Sequence, residues 1–286
     1  WEEGGFASYP ETMKGVKQRI RSHTFADHYS QATLFWRSQS KWEQDHIVSA
    51  FCFELGKVTV PAIRVRMLSN LTQVDEELVQ RVAEGLGIKV PAPPAGSKDV
   101  PYTDKPKTDK ALSMDQPAKA SILGRKVAIL ASSGADGAAI EALMKAMQAA
   151  GANTKLLGTR LGEIKLHNGK ALNVDHSLPT MPSLMFDAVF IPGGKSSVES
   201  LLQDANAVLF VKEAYKHGKA IAASDEGNML ISKAAQSAGL PDGKFQGPGV
   251  LSATGQTMGK DFLNGFVIAI AKHRFNDRAD ADAIAA

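Results

Sequence analysis

A proline-rich segment between residues 90 and 120 divides this 286-residue chain into two unlike parts. Six of the thirteen prolines lie in it: Pro91, Pro93, Pro94, Pro101, Pro106 and Pro117. Lys, Asp, Ser and Gly fill much of the sequence between them, and such a segment buries too little apolar surface to fold by itself. The sequence therefore predicts two folded parts, residues 40–89 and 121–286, joined by a linker at 90–120.

The front part of the chain predicts three short helices. Ser40 and Glu43 have the spacing of a capping box, in which each side chain can bond the other residue's free backbone amide. Pro61 suits the first turn of a second helix, where its missing N–H costs nothing. Asp75 is placed to cap a third helix and Gly87 to end it. The irregular pattern before residue 40 predicts that residues 1–39 form an extended, wrapping arm.

From residue 124 onward, short apolar runs alternate with helical periodicity. Buried strands are predicted at residues 126–131, 154–157, 187–191, 220–224 and 250–253, and helices at 136–150, 205–216, 225–238 and 261–273. A hairpin is predicted over residues 164–174, because Asn168 and Gly169 favour a type I′ turn. This order predicts an α/β fold with a doubly wound parallel sheet.

Composition excludes several classes of function. The 33 basic and 30 acidic residues give a net charge of +3. They form no cluster of the kind that binds nucleic acid. No apolar run approaches the roughly 20 residues that cross a membrane, and the start of the chain does not read as a signal peptide, so we expect a cytoplasmic protein. The seven histidines and the single cysteine have no metal-ligand spacing. Cys52 is expected to serve packing rather than redox sensing.

A dense series of motifs lies in residues 4–55. They are Gly4-Gly5-Phe6, Ser8-Tyr9-Pro10, Phe25-Ala26-Asp27-His28-Tyr29-Ser30-Gln31-Ala32, Leu34-Phe35-Trp36, Ser38-Gln39, Glu43-Gln44, His46-Ile47-Val48 and Phe51-Cys52-Phe53-Glu54-Leu55. This series closely resembles the helical region of haem catalases and the stretch just before it. In the second half, Lys126-Val127-Ala128-Ile129-Leu130, Ala214-Tyr215-Lys216-His217, Lys219-Ala220-Ile221-Ala222 and Ala271-Lys272-His273-Arg274 look like the flavodoxin-like C-terminal domain that large-subunit catalases carry after a proline-rich linker.

The resemblance implies a parent protein that decomposes hydrogen peroxide as a homotetramer, with a catalase core domain as this chain's partner, in the same polypeptide or as a separate fragment. In that family haem is held by a Tyr four residues after an Arg, beneath a distal His and an Asn. The four tyrosines here, Tyr9, Tyr29, Tyr102 and Tyr215, all lack that Arg, and no His lies in the distal Val-His-Ala setting. We therefore expect no cofactor in this chain and no catalase activity from it alone.

Two predicted strand ends carry the candidate site residues. Gly193 and Gly194 follow one strand, and Ser224, Asp225 and Glu226 follow another. These segments resemble two landmarks of the DJ-1/PfpI and class I glutamine amidotransferase superfamily, whose active members place a nucleophilic Cys on a strained elbow. Asp225 takes the place of that Cys, which favours an inert scaffold.

Two other functions are compatible with the sequence. Ala139 replaces the superfamily's Glu, so a hydrolase or glyoxalase based on Ser224 or Asp225 would need another base, with His167 or His176 as the candidates. A third reading is a chaperone-like module that holds unfolded client proteins on exposed apolar surface. Residues 132–137 match neither nucleotide-binding loop pattern, so we expect a plain tight turn there.

Overall fold

The computed structural model of the chain describes residues 8–95, 107–115, 121–240, 243–245, 247–255, 258–278 and 280–284. The chain divides into two compact units, Trp1–Gln116 and Pro117–Ala286. The boundary falls inside the segment predicted as a linker, of which residues 96–106 and 116–120 lie outside the described residues. In the described ranges, no helix is both long enough and apolar enough to span a membrane.

The described part of the first unit contains four helices: α1 (Ser30–Ser38), α2 (Lys41–Gly56), α3 (Pro61–Leu71) and α4 (Glu76–Gly85). The last three confirm the predicted helices, and the Asp75 carboxylate caps α4 by accepting the Glu77 amide at 3.0 Å. Helix α1 shows that the prediction of extended chain is wrong for residues 30–38. Helix α1 is stabilised by residues that are distant in sequence. Trp36 is buried among residues of the other helices, and the Thr33 hydroxyl donates to the Val74 carbonyl at 2.8 Å.

A buried carboxylate fastens residues 113–114 to helix α2. Glu43 accepts the Ser40 amide at 2.8 Å, the Ser113 hydroxyl at 2.7 Å and the Met114 amide at 2.7 Å. Burial by itself raises the pKa of Glu43, but these hydrogen bonds favour the carboxylate and hold its pKa below the ordinary value. The end of the predicted linker is therefore bound to the helical unit rather than free.

The second unit is built on a six-stranded parallel sheet in the order β5-β2-β1-β6-β7-β8. Its strands are β1 (Lys126–Leu130), β2 (Asn153–Gly158), β5 (His176–Ser177), β6 (Ala188–Ile191), β7 (Ala220–Ser224) and β8 (Val250–Ala253), while β3 (Gly162–Lys165) and β4 (Ala171–Val174) form a separate antiparallel hairpin. The helices are α5 (Gly137–Ala149), α6 (Lys195–Gln203), α7 (Ala205–Lys216), α8 (Asn228–Ser237) and α9 (Lys260–Ala271). The predicted doubly wound α/β fold is confirmed, and five of the strands follow the flavodoxin-like order.

The sheet separates two apolar cores because successive strand residues face opposite sides. Val127 and Ile129 of β1 pack with α5 and α9. Ala128 and Leu130 of the same strand pack with α6, α7 and α8 on the other side. A strand buried on both faces has no polar alternation, which is why continuous apolar runs predicted five of the six strands of this sheet.

The hairpin turn differs from the prediction. Gly169 has a φ of 81°, but Asn168 does not have the positive φ that a type I′ turn requires. The Gly169 amide bonds the Leu166 carbonyl at 3.0 Å and the Leu166 amide bonds the Lys170 carbonyl at 2.8 Å. The loop therefore has three residues, with a turn followed by a left-handed glycine. The Asn168 side chain accepts the Lys170 amide at 3.1 Å, which accounts for Asn at this position without a type I′ turn.

The segment after α9 is held to the sheet by one buried guanidinium. Arg278, only 4% exposed, donates to the carbonyls of Tyr215 at 2.6 Å, Lys219 at 2.8 Å and Pro248 at 2.9 and 3.1 Å. Its guanidinium also lies over the Tyr215 ring, 4.3 Å from the centroid. The Tyr215 hydroxyl in turn donates to Asp280 at 2.8 Å. This arrangement joins the end of α7, the start of β7 and the chain terminus.

Candidate functional site

The candidate site lies at the carboxyl ends of β6 and β7, where ligands bind in many open α/β sheets. Asp225 follows β7 directly and has a φ of 46°, in the left-handed region that non-glycine residues rarely adopt. Such a conformation costs on the order of 1–3 kcal/mol and persists only where the surroundings impose it. The structure therefore contains a strained strand-to-helix elbow at the predicted position.

All five predicted site residues come together at this elbow. The buried Ser224 hydroxyl accepts the Gly193 amide at 3.0 Å, and the Glu226 carboxylate accepts the Gly194 amide at 2.9 Å. The bond from Gly194 lowers the pKa of Glu226 from its ordinary value. A Cβ added to Gly193 would lie 3.0 Å from the Cβ of Asp225. The two amides that could stabilise a developing oxyanion are thus already bound by the protein's own side chains.

The Asp225 side chain is also engaged. Its carboxylate accepts the Gly255 amide at 2.6 Å, from the loop that follows β8. Asn228, which sequence reasoning missed, donates to the Asp225 carbonyl at 3.0 Å and to the Ala253 carbonyl at 3.1 Å. A polar residue in the first helical turn after an elbow is a local sequence signal for such side-chain to backbone hydrogen bonds. These contacts hold Asp225 in its strained conformation and direct its carboxylate to a backbone donor.

The neighbouring crevice between β1 and β6 is closed by backbone contact. The Asp136 amide donates to the Gly193 carbonyl at 2.9 Å, and a Cβ on Gly194 would lie 2.3 Å from the Gly134 carbonyl oxygen. The Asp136 carboxylate accepts the amides of Ala138 and Ala139 at 2.9 and 3.2 Å. The first amides of α5 are therefore partly satisfied, which agrees with a tight turn at residues 132–137.

No histidine supplies a base to the elbow in the described part of the chain. His176 lies on β5, with β2, β1 and β6 between it and β7, a separation of about 19 Å at the usual strand spacing. His167 is exposed, and its backbone amide donates to the Ala135 carbonyl at 2.9 Å, while its ring has no bond to Ser224 or Asp225. Among the described residues, no group of three or more His, Cys, Asp or Glu side chains is placed to hold a metal ion.

Comparison with known proteins identifies the family. Residues 22–86 match the family described as "Catalase-related immune-responsive", and residues 123–280 match the family described as "C-terminal domain found in long catalases". The second match alone covers more than half of the chain. The chain belongs to the long-catalase family.

Several long catalases are similar to the chain over almost its entire length. It is 38% identical to Catalase HPII of Pseudomonas putida over 287 aligned residues, which are 100% of the chain and 38% of that protein. It is 34% identical to Catalase-2 of Bacillus subtilis over 277 residues, 97% of the chain and 38% of the relative. Catalase-B of Dictyostelium discoideum is 32% identical over 278 residues, 96% of the chain and 38% of its own length. The chain thus spans less than two fifths of the length of these relatives.

Within this long-catalase domain, the elbow combines a strained backbone at Asp225 with side chains that are bonded to neighbouring amides. Ser224 and Glu226 occupy the glycine amides, and Asp225 is bound to Gly255. A carboxylate is a weak nucleophile unless a strong electrophile is held against it, and a serine hydroxyl needs a base within hydrogen-bond reach. The arrangement stabilises the junction of β6 and β7 and provides no nucleophile–base pair among the described residues.

Proposed function

We propose that the chain is the C-terminal portion of a large-subunit catalase, whose reaction converts hydrogen peroxide to water and oxygen. The observation that carries this proposal is the pair of family matches in order along the chain, together with alignment to long catalases from end to end. Since the chain spans 38% of the Pseudomonas putida relative, the catalytic centre is assigned to a core domain outside these residues.

The described residues do not fit haem. The Tyr215 hydroxyl is buried and donates to Asp280, so it is not available as an iron ligand. The Tyr29 hydroxyl donates to the Asn70 side chain at 3.3 Å, and Tyr9 is 88% exposed. Tyr102 lies outside the described residues. Haem in the parent protein therefore needs a tyrosine and a distal pocket supplied by the core domain.

Purified as 286 residues and incubated with an excess of haem, the chain should evolve no oxygen from peroxide above the rate of free haem. After desalting it should show no stoichiometric Soret band, because none of its described tyrosines is placed to ligate iron. Absorbance, intact mass and an oxygen electrode measure this directly. Oxygen evolution that rises in proportion to tightly bound haem would contradict the assignment of the haem site to a separate core.

We propose a stabilising role for this portion within a cytoplasmic homotetramer, in contact with the catalase core. The elbow supports this role, since its side chains bond the backbone amides of neighbouring loops. Chaperone-like holding of client proteins is a second candidate, supported by exposed apolar side chains such as Leu184, 80% exposed, and Ile268, 70% exposed. Suppression of a client's thermal aggregation by the chain, and its loss in Leu184→Ser or Ile268→Ser, would favour the second candidate.

A DJ-1-type hydrolase or glyoxalase at the elbow is the enzymatic alternative. We expect the wild-type chain to show no turnover of p-nitrophenyl acetate or methylglyoxal above that of a heat-inactivated sample, because neither His167 nor His176 is bonded to Ser224 or Asp225 in the described part of the chain. The test compares wild type with Ser224→Ala and Asp225→Asn. Turnover by the wild type that both substitutions abolish would show that the elbow is catalytic and would contradict the expected lack of activity.

A further inference from the structure

A cavity of about 280 Å³ lies beside the amino ends of β1 and β2, the edge of the sheet away from the elbow. One side of it is basic, lined by Lys126, Lys155 and His176. The other side is apolar and is formed by Met181, Met185 and Phe186, which precede β6. A concave apolar wall with a few convergent polar groups is the usual form of a small-molecule site.

None of the described residues that line the cavity is an Asp or Glu, so no lining carboxylate faces its basic side. The Lys126 ammonium and the His176 ring have no ion pair or hydrogen bond to any residue that the structure describes. Lys155 is 3.0 Å from Asp175, which neutralises one of the two lysine charges from outside the cavity. One lysine charge is therefore uncompensated at the mouth of the cavity, and an anion placed there would gain a favourable charge interaction.

The apolar side of the cavity indicates what kind of group would be attached to such an anion. Phe186 is buried and presents a fixed ring, whereas Met181 is half-buried and Met185 is 47% exposed. Methionine side chains are flexible and polarisable, and adapt to apolar groups of irregular shape. A volume of 280 Å³, at about 30 Å³ for each water-sized group, holds on the order of nine non-hydrogen atoms.

We propose that this cavity binds a small monocarboxylate with an apolar body of six to eight carbons. The carboxylate lies against Lys126 and His176, and the carbon body lies against Met181, Met185 and Phe186. The ligand is anionic because, among the described residues that line the cavity, the charge without an opposite partner is that of the Lys126 ammonium. It is an amphiphile rather than inorganic phosphate because Met181, Met185 and Phe186 give the cavity an apolar wall. This site is separate from the elbow and does not depend on the catalase assignment.

Octanoate tests the proposal on the full 286-residue chain. Titration should show saturable binding with half-saturation at or below about 1 mM, as expected for a ligand of about ten non-hydrogen atoms. With methyl-labelled methionine, the NMR signals of Met181 and Met185 should shift along the same saturation curve, while that of Met147, a fully buried residue of α5, should not. The neutral analogue 1-octanol should bind at least about threefold more weakly, because it lacks the charge.

Two lysine variants, one at the cavity and one away from it, are compared for octanoate binding. Lys126→Gln should weaken octanoate binding at least about threefold, and Lys233→Gln, which removes an exposed charge from α8, should leave it unchanged. Circular dichroism checks that both variants are folded. Equal binding by the two variants, methyl shifts absent from Met181 and Met185, or no saturation up to about 10 mM would each overturn the proposal.

Discussion

Replacing Arg278 with Met should lower the free energy of unfolding of the second unit by about 3–5 kcal/mol. The change leaves the carbonyls of Lys219 and Pro248 without the Arg278 donor, and an unsatisfied buried acceptor costs about 1–3 kcal/mol. The Tyr215 carbonyl loses the guanidinium but still accepts the Gly218 amide at 3.0 Å. Burial lowers the pKa of Arg278 to about 10, with Tyr215 and Asp280 opposing that shift, so the residue remains a cation at neutral pH. Arg278→Met therefore removes a buried positive charge that the carbonyl groups stabilise in the native protein.

The measurement is urea unfolding at pH 7, with hydrogen exchange of residues 275–284 as a local reporter. Arg160→Met is the control, since Arg160 is exposed in the same unit and should cost no more than about 0.5 kcal/mol. Arg278→Lys keeps the charge but loses the planar fork, and it should fall between wild type and Arg278→Met. An Arg278→Met protein as stable as Arg160→Met would contradict the role assigned to this guanidinium.

Replacing Gly194 with Ala should destabilise the second unit by about 3 kcal/mol or more. Gly194 has a φ of 113°, and its added Cβ would lie 2.3 Å from the Gly134 carbonyl oxygen and 2.8 Å from the Cα of Ala135. Both neighbours are backbone, so relief requires the loops after β1 and β6 to separate. That movement would also strain the bond between the Gly194 amide and Glu226.

Gly162→Ala separates the two causes of the destabilisation expected for Gly194→Ala, which are backbone strain and the clash of the added Cβ. Gly162 has a similar φ of 101°, but its added Cβ meets no atom within 4 Å. It should therefore carry only the backbone strain, about 1–2 kcal/mol. Thermal and urea unfolding of the two variants measure the difference. A Gly194→Ala protein within about 0.5 kcal/mol of Gly162→Ala would show that the close approach of the two loops contributes little to stability.

The sheet was predictable from sequence because its strands are apolar on both faces, and the elbow was predictable from residues 224–226 after a strand. Helix α6 was not predicted, since its first turn is Lys195-Ser196-Ser197 and serine is a modest helix former. The short edge strand β5 has only two residues and no pattern of its own. Helix α1 depends on Trp36 reaching a core formed mainly by α3 and α4.

The hydrogen bonds and buried charges of the second unit were harder to predict from the sequence than its sheet. The residues at the elbow could be named from sequence, but the role of each side chain depends on which amide it accepts from, and no spacing rule predicts that. Arg278 lies in a polar, acidic tail that reads as solvated, although its guanidinium is buried. Lys126 and Met185 are 59 positions apart in sequence, and only the sheet places them at one cavity.

A chimera with a long catalase tests whether this chain works as the C-terminal portion of such a protein. The chain replaces the aligned 38% of Catalase HPII of Pseudomonas putida, and residual oxygen evolution is followed during heating. We predict that the chimera binds haem, evolves oxygen and keeps its activity several times longer than a variant lacking the segment aligned with residues 121–286. A folded, haem-loaded chimera that loses activity as fast as the truncated variant would contradict the account.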